Sequence, residues 1–563
     1  MAVSPMCPDM LMKQIEPRFC RIERKLSLIN LKSSKFALNL NEILNAIKEI
    51  SSYADEYNFE SIRSNGFWTF VRSAFAFIEL VEKELNERNV EHLYKISMGY
   101  LTMYKHLKVV RELTLKTEWL HDENNNCGKC LFVPPTVSSA DALKEVLIED
   151  TDFGVVYETF GAFWFCPSVK RFLEFKRTRG KQFTKAIQKP TLRHPYRLWD
   201  LSDNILFKKI LLNIYTLNCG TRSKSVSIPS QSEWIILREG GIRRILGKDA
   251  SIKKRRRVRC RVVKQRAKKH HSPSLLFHCH GGAFISHSPD CHEDYLRVWS
   301  PQLCGIPIFS VDYTKAKEYP AAIQDVLDAY LWVTSGAPEV EQILGFHPET
   351  IVLCGDSAGA NLVLSLNYIL HDIFESNPFN RQMCLPSSLV LIYPALQLSP
   401  QMSPSRIVCS GDPIIAPGIL MHVDGIYSGL EAELSITTKW PFPFSIVTST
   451  LEKLKNAMSL FVSLIFGKGS QKLWFECSEN EMSSRLKRMT ELLNNPYIST
   501  LFYPDFAKLK ETTLHIITTS YCPLQDDCVT LAKLWKGIKT LDVVDKLPHG
   551  FLHLKPVSKE ASS

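Results

Sequence analysis

From residue 67 the apolar positions Phe67, Phe70, Val71, Ala74, Phe75, Ile78, Val81 and Leu85 fall at the spacing of one helix face. Leu93, Ile96, Tyr100, Tyr104, Leu107 and Val110 repeat the pattern. Residues 1–245 therefore read as a helical domain whose aromatic-rich stripes form the core of a bundle. Nothing in this half carries the pattern of a catalytic centre.

After residue 272 the texture changes. "SLLFHCHGG", "IPIFSVDY", "TIVLCGDS", "SLVLIYPA", "LHIITTS" and "LDVVDKLPHGF" are short apolar runs that end at polar turns, and helical spacing lies between several of them. Strands alternating with helices predict a mostly parallel α/β sheet. Because such strands are buried on both faces, they read as continuous apolar runs. Residues 273–400 and 495–563 form the two parts of this core. Residues 401–494 interrupt the alternation and read as an insertion over the sheet's active edge.

Composition changes this picture little. Hydrophobic residues at 45% and charged residues at 23% are ordinary for a globular chain, so disorder is not expected. The N-terminus lacks the apolar core of a secretory signal. The longest uncharged apolar stretch, Asn456–Gly467, is shorter than the roughly 20 residues a membrane-spanning helix needs. We therefore expect a cytoplasmic protein with reduced thiols among its 16 cysteines. The one close pair, Cys127 and Cys130 in "CGKC", stands alone and reads as a loop; no metal is expected.

Charge is more local. Lys253–Lys269 holds eleven basic residues and no acidic one, within a span 246–272 that reads as a basic linker or edge strand. Three roles fit it: a solvated strand protected from aggregation by its charges, a patch for anionic lipid, or a nucleic-acid patch. No nucleic-acid motif or aromatic stacking cluster accompanies the run, so no nucleic-acid partner is expected.

The candidate chemistry lies in three places. "GDSAG" follows a strand-like run and precedes a helix-like one, which places Ser357 on the exposed turn of a nucleophile, with Gly355 and Gly359 relieving crowding. Upstream, "HCHGGAF" offers the flexible backbone that faces a developing oxyanion. Gly281 and Gly282 are the expected donors there, with the amide of Ala358 after the nucleophile. His280 is expected to hold that loop by hydrogen bonds. Near the C-terminus "LPHGF" places His549 where the general base falls in the order serine, acid, histidine.

These motifs, with "VDY", "YPA", "SPSR", "DPII" and "NPYISTLFYPDF", resemble hormone-sensitive lipase. "FGAFWFCPSVKRFLEF" resembles that family's N-terminal regulatory domain, which bacterial esterases of the same superfamily lack. The resemblance implies an α/β-hydrolase fold and hydrolysis of acylglycerols and of sterol or retinyl esters through an acyl-enzyme. No cofactor is implied. It also implies action at a lipid-droplet or membrane surface under the control of a protein kinase. "KRMT", Lys487–Thr490, resembles a site for a basic-directed kinase, and Leu451–Phe466 reads as an amphipathic helix near the pocket mouth.

The chain departs from the family at the acid. Where the family has D-P-L-x-D, this sequence has "SYCPLQDD", so Cys522 stands at the first aspartate and Asp526 at the second. A thiol cannot orient or stabilise an imidazolium as a carboxylate does. Asp526, about one helical turn further on, is the expected substitute, leaning back towards His549. Asp356 is expected to be structural. Ala283 replaces the third glycine after His280, "DYTKAKEYP" is a shortened form of the family's segment, and a final helix is expected to be missing after His549. The alternative is a catalytically impaired relative that binds lipid or protein.

Overall fold

The computed structural model describes residues 8–32, 34–116, 131–133, 220–230, 233–244, 257–265, 273–376, 384–398, 401–409, 412, 414–415, 417–429 and 491–554. Cys127, Cys130, "FGAFWFCPSVKRFLEF", Leu451–Phe466 and "KRMT" lie outside them.

Four helices open the chain: α1 (Pro8–Leu28), α2 (Lys35–Ala54), α3 (Gly66–Glu84) and α4 (Val90–Leu115). Two of their starts are capped by side chains. Ser34 accepts the Ala37 amide and Asn65 accepts the Trp68 amide, each occupying a donor that has no intrahelical partner. All the stripe residues of α3 and α4 are buried, together with Leu40, Ile43, Ile47 and Ile50 of α2. Burying each such aliphatic or aromatic side chain stabilises the fold by about 1.5–3 kcal/mol before entropy is counted.

The sheet has eight strands. In chain order they are β1 (Thr221–Pro229), β4 (Arg257–Gln265), β5 (Ser274–Cys279), β6 (Ile308–Asp312), β7 (Thr350–Asp356), β8 (Ser388–Ile392), β9 (Thr513–Tyr521) and β10 (Lys539–Pro548). In space they run β1-β4-β6-β5-β7-β8-β9-β10; the first two pairings are antiparallel and the other five parallel. A separate hairpin joins β2 (Trp234–Ile236) to β3 (Ile242–Arg244). The core helices are α5 (Pro289–Gln302), α6 (Ala321–Val333), α7 (Pro338–Leu344), α8 (Ala358–Ser376), α9 (Pro404–Val408), α10 (Pro417–Tyr427) and α11 (Gln525–Leu534). The chain has an α/β-hydrolase fold, with a mostly parallel sheet and a helical N-terminal region.

Two boundaries differ from expectation. β1, β2 and β3 lie inside the span 1–245 assigned to helices, because their short, polar-interrupted runs carry little periodic signal. β1 is also the true edge. Its register from Thr221 opposite Gln265 to Pro229 opposite Arg257 covers the outer side of β4, so the described part of the basic run, Arg257–Gln265, is an inner strand rather than an edge. Its charges are answered locally. Arg259 pairs with Asp290 at 2.8 Å and Asp312 at 3.2 Å, and Arg261 pairs with Glu293 at 3.0 Å and with Asp290.

The helical region packs directly on the hydrolase core. α9 lies against α3 and α4. Asp526, on α11, accepts the Gly66 amide at 2.8 Å with one oxygen and the Ser405 amide at 2.7 Å with the other. Thr69 donates to the Ser520 carbonyl at 2.8 Å, and Gln525 donates to Ser64 at 2.8 Å. The approach is so close that a Cβ on Gly66 would lie 2.0 Å from the Ser405 nitrogen. Gly66→Ala is therefore expected to destabilise the protein by about 1–3 kcal/mol or more, as overpacking does. Urea unfolding measures this, and an unchanged midpoint would mean that the two regions do not meet here.

Candidate active site

Ser357 sits between β7 and α8 with φ 53°. A left-handed serine costs of order 1–2 kcal/mol and persists only where its surroundings hold it. Here the Ser357 amide donates to the Ile392 carbonyl at 2.9 Å, and the Ser357 carbonyl accepts the amides of Ala360 and Asn361 at 3.1 and 3.2 Å. Gly359 lets the turn approach its neighbour strand, since a Cβ there would lie 2.1 Å from the Cys279 carbonyl oxygen. The sequence motif is thus a packing requirement.

His549 lies in the turn after β10, buried, with its Nε2 2.8 Å from Ser357 Oγ. Its other nitrogen, Nδ1, is 3.2 Å from Cys522 Sγ. The thiol therefore occupies the place where the resemblance puts the acid. Burial pushes the Cys522 thiol well above its ordinary range, so it is neutral. Sγ already accepts the Leu524 amide at 3.4 Å, which favours pointing the thiol proton at Nδ1. That arrangement biases the ring towards the tautomer with its proton on Nε2. Such an imidazole faces Ser357 with a donor and cannot take its proton. Burial also pulls His549 down to about 3, with only the more distant charge of Asp356 acting the other way.

Asp526 does not lean towards His549. Both of its oxygens are committed to the amides of Gly66 and Ser405, because α11 turns that side chain to the interface with the N-terminal helices. Asp527 is likewise committed, to Arg406 at 3.1 Å and to the amides of Leu396 and Gln397 at 3.2 and 2.9 Å.

The glycine loop after β5 also differs in part. The Gly281 amide donates to Asp356 Oδ1 at 2.9 Å and lies 3.2 Å from His292 Nε2, so it is spent inside the fold rather than offered to an oxyanion. The amides of Gly282, Ala283 and Ala358 donate to no described residue. Ala283 has φ 55°, so it stands in the left-handed region that a glycine would occupy without strain. His280 holds the loop as expected, with Nδ1 2.7 Å from the Gly281 carbonyl and its ring stacked on Tyr313.

Two carboxylates, Asp356 and Asp412, shape the site from behind. Asp356 also accepts the Tyr295 hydroxyl at 3.0 Å and faces His292 at 3.4 Å. Burial pushes its carboxyl up, but the imidazoles of His292, His553 and His278 outweigh this and hold it below the usual carboxylate range. Asp412 accepts the His549 amide at 3.2 Å together with those of Ile414 and Ile415 at 2.8 and 2.9 Å. It thereby fixes the backbone of the histidine from the inserted segment. Its only trace in the sequence is "DPII", an aspartate at the start of a turn. Burial raises its carboxyl to about 6, against those same amide bonds.

Asp412→Ala leaves the buried amides of Ile415 and His549 without acceptors, at about 1–3 kcal/mol each. We expect a loss of roughly 2–6 kcal/mol in urea unfolding. We also expect any Ser357-dependent ester hydrolysis to fall. Unaltered stability and rate would show that Asp412 does not hold His549.

Residues 276–458 match the α/β hydrolase fold family. Hormone-sensitive lipase from Mus musculus is 34% identical over 173 residues, which is 30% of this chain and 21% of that protein. Hormone-sensitive lipase from Homo sapiens is 34% identical over 164 residues, 29% of this chain and 14% of that one. Esterase LipU from Mycobacterium tuberculosis is 30% identical over 175 residues, 28% of this chain and 53% of that one. The aligned stretches therefore span only a minor part of the lipases. Among solved structures, an esterase from Pyrobaculum calidifontis aligns at 20% identity and TM-score 0.38, covering 65% of this chain and 89% of that one. The likeness is thus to α/β hydrolases of the hormone-sensitive lipase type.

Proposed function

We propose that the protein is a lipid carboxylic-ester hydrolase that works through a serine nucleophile and an acyl-enzyme, with turnover weakened by Cys522. The observation that carries this is the 2.8 Å contact between Ser357 Oγ and His549 Nε2 on a turn built for an exposed nucleophile. In this mechanism Ser357 attacks the ester carbonyl and His549 takes its proton. The amides of Gly282 and Ala358 face the oxyanion of the tetrahedral intermediate. His549 then returns the proton to the leaving alcohol, and water repeats the sequence on the acyl-enzyme.

The weak step is proton transfer. Without a carboxylate at Nδ1 nothing stabilises the imidazolium, and the thiol favours the wrong tautomer. Loss of the acid in such a triad lowers turnover by about 10⁴-fold. The same Cys522–His549 contact at 3.2 Å supports a second reading, an impaired relative that binds lipid or protein without turnover.

Acylglycerols and sterol or retinyl esters are the substrate class that the likeness to hormone-sensitive lipase supports. We extend the proposal to a cytoplasmic setting at a lipid-droplet or membrane surface, with the N-terminal helices as a regulatory domain and a protein kinase as a partner. Among the described residues no helix is long and apolar enough to cross a membrane.

Two measurements test the proposal. A fluorophosphonate probe is expected to label wild-type protein at Ser357 alone and to leave Ser357→Ala unlabelled, because the serine's turn does not depend on the acid. Folded wild-type protein that takes no label would sink the hydrolase reading.

Cys522→Asp is expected to raise short-chain ester hydrolysis by up to about 10⁴-fold. It should also change the pH profile. The wild-type base, held down to about 3 by burial, stays unprotonated well into acid, so residual activity should persist at pH 5. A carboxylate beside Nδ1 favours the charged ring and raises its pKa, so the variant should lose activity as pH falls towards and below the ordinary histidine range. A variant that is folded yet no faster, with an unshifted profile, would place the defect elsewhere.

A further inference from the structure

Behind the glycine loop, three histidines from different segments converge. His287 ends the loop, His292 lies in the first turn of α5, and His553 lies in the short 3-10 turn Phe551–Leu554 that follows the His549 turn. One ring nitrogen of each lies within 4.8 Å of the others. We propose that these residues form a binding site for a single divalent transition-metal ion of borderline softness, of which zinc is the representative.

The ring geometry supports ligation. The His292 and His553 rings meet edge to face with centroids 4.7 Å apart, and His287 lies 5.6 and 5.7 Å from them. His553 Nδ1 is 3.2 Å from Asp294 Oδ2, and His292 Nδ1 is 3.0 Å from the Ser288 carbonyl. A carboxylate or carbonyl on one nitrogen fixes the tautomer and turns the lone pair of the other outward, as in zinc sites whose histidines are oriented from behind. Nε2 is thus the ligating atom of both rings.

His292 Nε2 would give up its 3.2 Å contact with the Gly281 amide and its 3.4 Å approach to Asp356 Oδ1, but Asp356 keeps the Gly281 amide at 2.9 Å and the Tyr295 hydroxyl at 3.0 Å. Zinc–nitrogen bonds of about 2.0–2.1 Å in a tetrahedron put ligand atoms about 3.4 Å apart, so the rings need to close by little more than an ångström. The local charge also favours a cation, since the carboxylates of Asp356 and Asp294 flank the cluster.

An ion held here would clamp the end of the glycine loop, the start of α5 and the segment after His549 to one another. The site stands whether or not Ser357 turns over an ester. Its ligands are not the residues assigned to that chemistry.

The test is zinc titration of the full chain by calorimetry, with thermal unfolding alongside. We expect one zinc ion per chain and a raised unfolding temperature. His287→Ala and His553→Ala should each weaken binding at least tenfold. Asp294→Asn, which leaves all three ligands in place, should weaken it by roughly 10–100-fold, and this keeps the test open if a histidine variant fails to fold. Absence of a zinc-dependent heat, or binding unchanged in these variants, would overturn the proposal. So would a thiolate charge-transfer band in the cobalt-substituted protein, which would place the metal on cysteine.

Discussion

The carboxylate of Asp356 is the contact on which the active edge of this protein depends. It sits at the end of the central strand β7, one residue before the nucleophile, and is buried. It receives the Gly281 amide from the loop after β5 and the Tyr295 hydroxyl from α5, and it faces His292. Removing a carboxylate from water is unfavourable unless its lone pairs are filled, and here donors from the glycine loop and from α5 fill them. The turn at Ser357, the glycine loop and α5 are therefore registered against one another by a single side chain. The loop's geometry follows from that bond. With the Gly281 amide consumed, the loop can present only its later amides, and its next residues take positive φ, Ala283 among them.

A second carboxylate plays the matching part for the histidine. Asp412 holds the His549 backbone, so the imbalance at Nδ1 does not release the ring. Asp526 is a third, and it works at a distance from the chemistry. It binds the amides of Gly66 and Ser405, joining the helical region and the inserted segment to α11 just after Cys522. Asp412 and Asp526 bind backbone amides, which is why each is buried with no cationic partner among the described residues.

Much of the fold was legible in the sequence because it depends on local pattern. The stripes of α3 and α4, the continuous apolar runs of β5 to β10 and the glycines around Ser357 all report nearest-neighbour constraints. His549 was legible through its order in the chain. What escaped the sequence depends on partners that are far apart. Gly66 and Asp526 are separated by 460 positions, and Asp412 and His549 by 137. No spacing rule links such pairs. β1 escaped for another reason: Ser223, Lys224 and Ser225 interrupt its apolar positions, and its place in the sheet is set by pairing with β4. The expectation for Asp526 failed because one helical turn of separation carries no information about direction, and α11 directs that residue to the opposite task.

At the acid position, geometry and charge come apart. Pro523 and Leu524 keep the register, the Leu524 amide still donates to the side chain at 522, and Sγ stands at hydrogen-bond distance from Nδ1. The scaffold that would present a carboxylate is complete, and only the charge is missing. His549 is buried, so that loss weighs heavily on any imidazolium formed there. The low affinity of His549 for a proton is the same fact seen from the ring. An unprotonated base at Nε2 would ordinarily favour attack, but the proton it accepts must then be held through the transition state. A neutral thiol that is itself a donor does the reverse. Where it donates to Nδ1 it leaves the proton already on Nε2. On the proposed serine mechanism the weakness lies in the proton inventory at two nitrogens, set by one side chain, while Ser357 and His549 stay 2.8 Å apart.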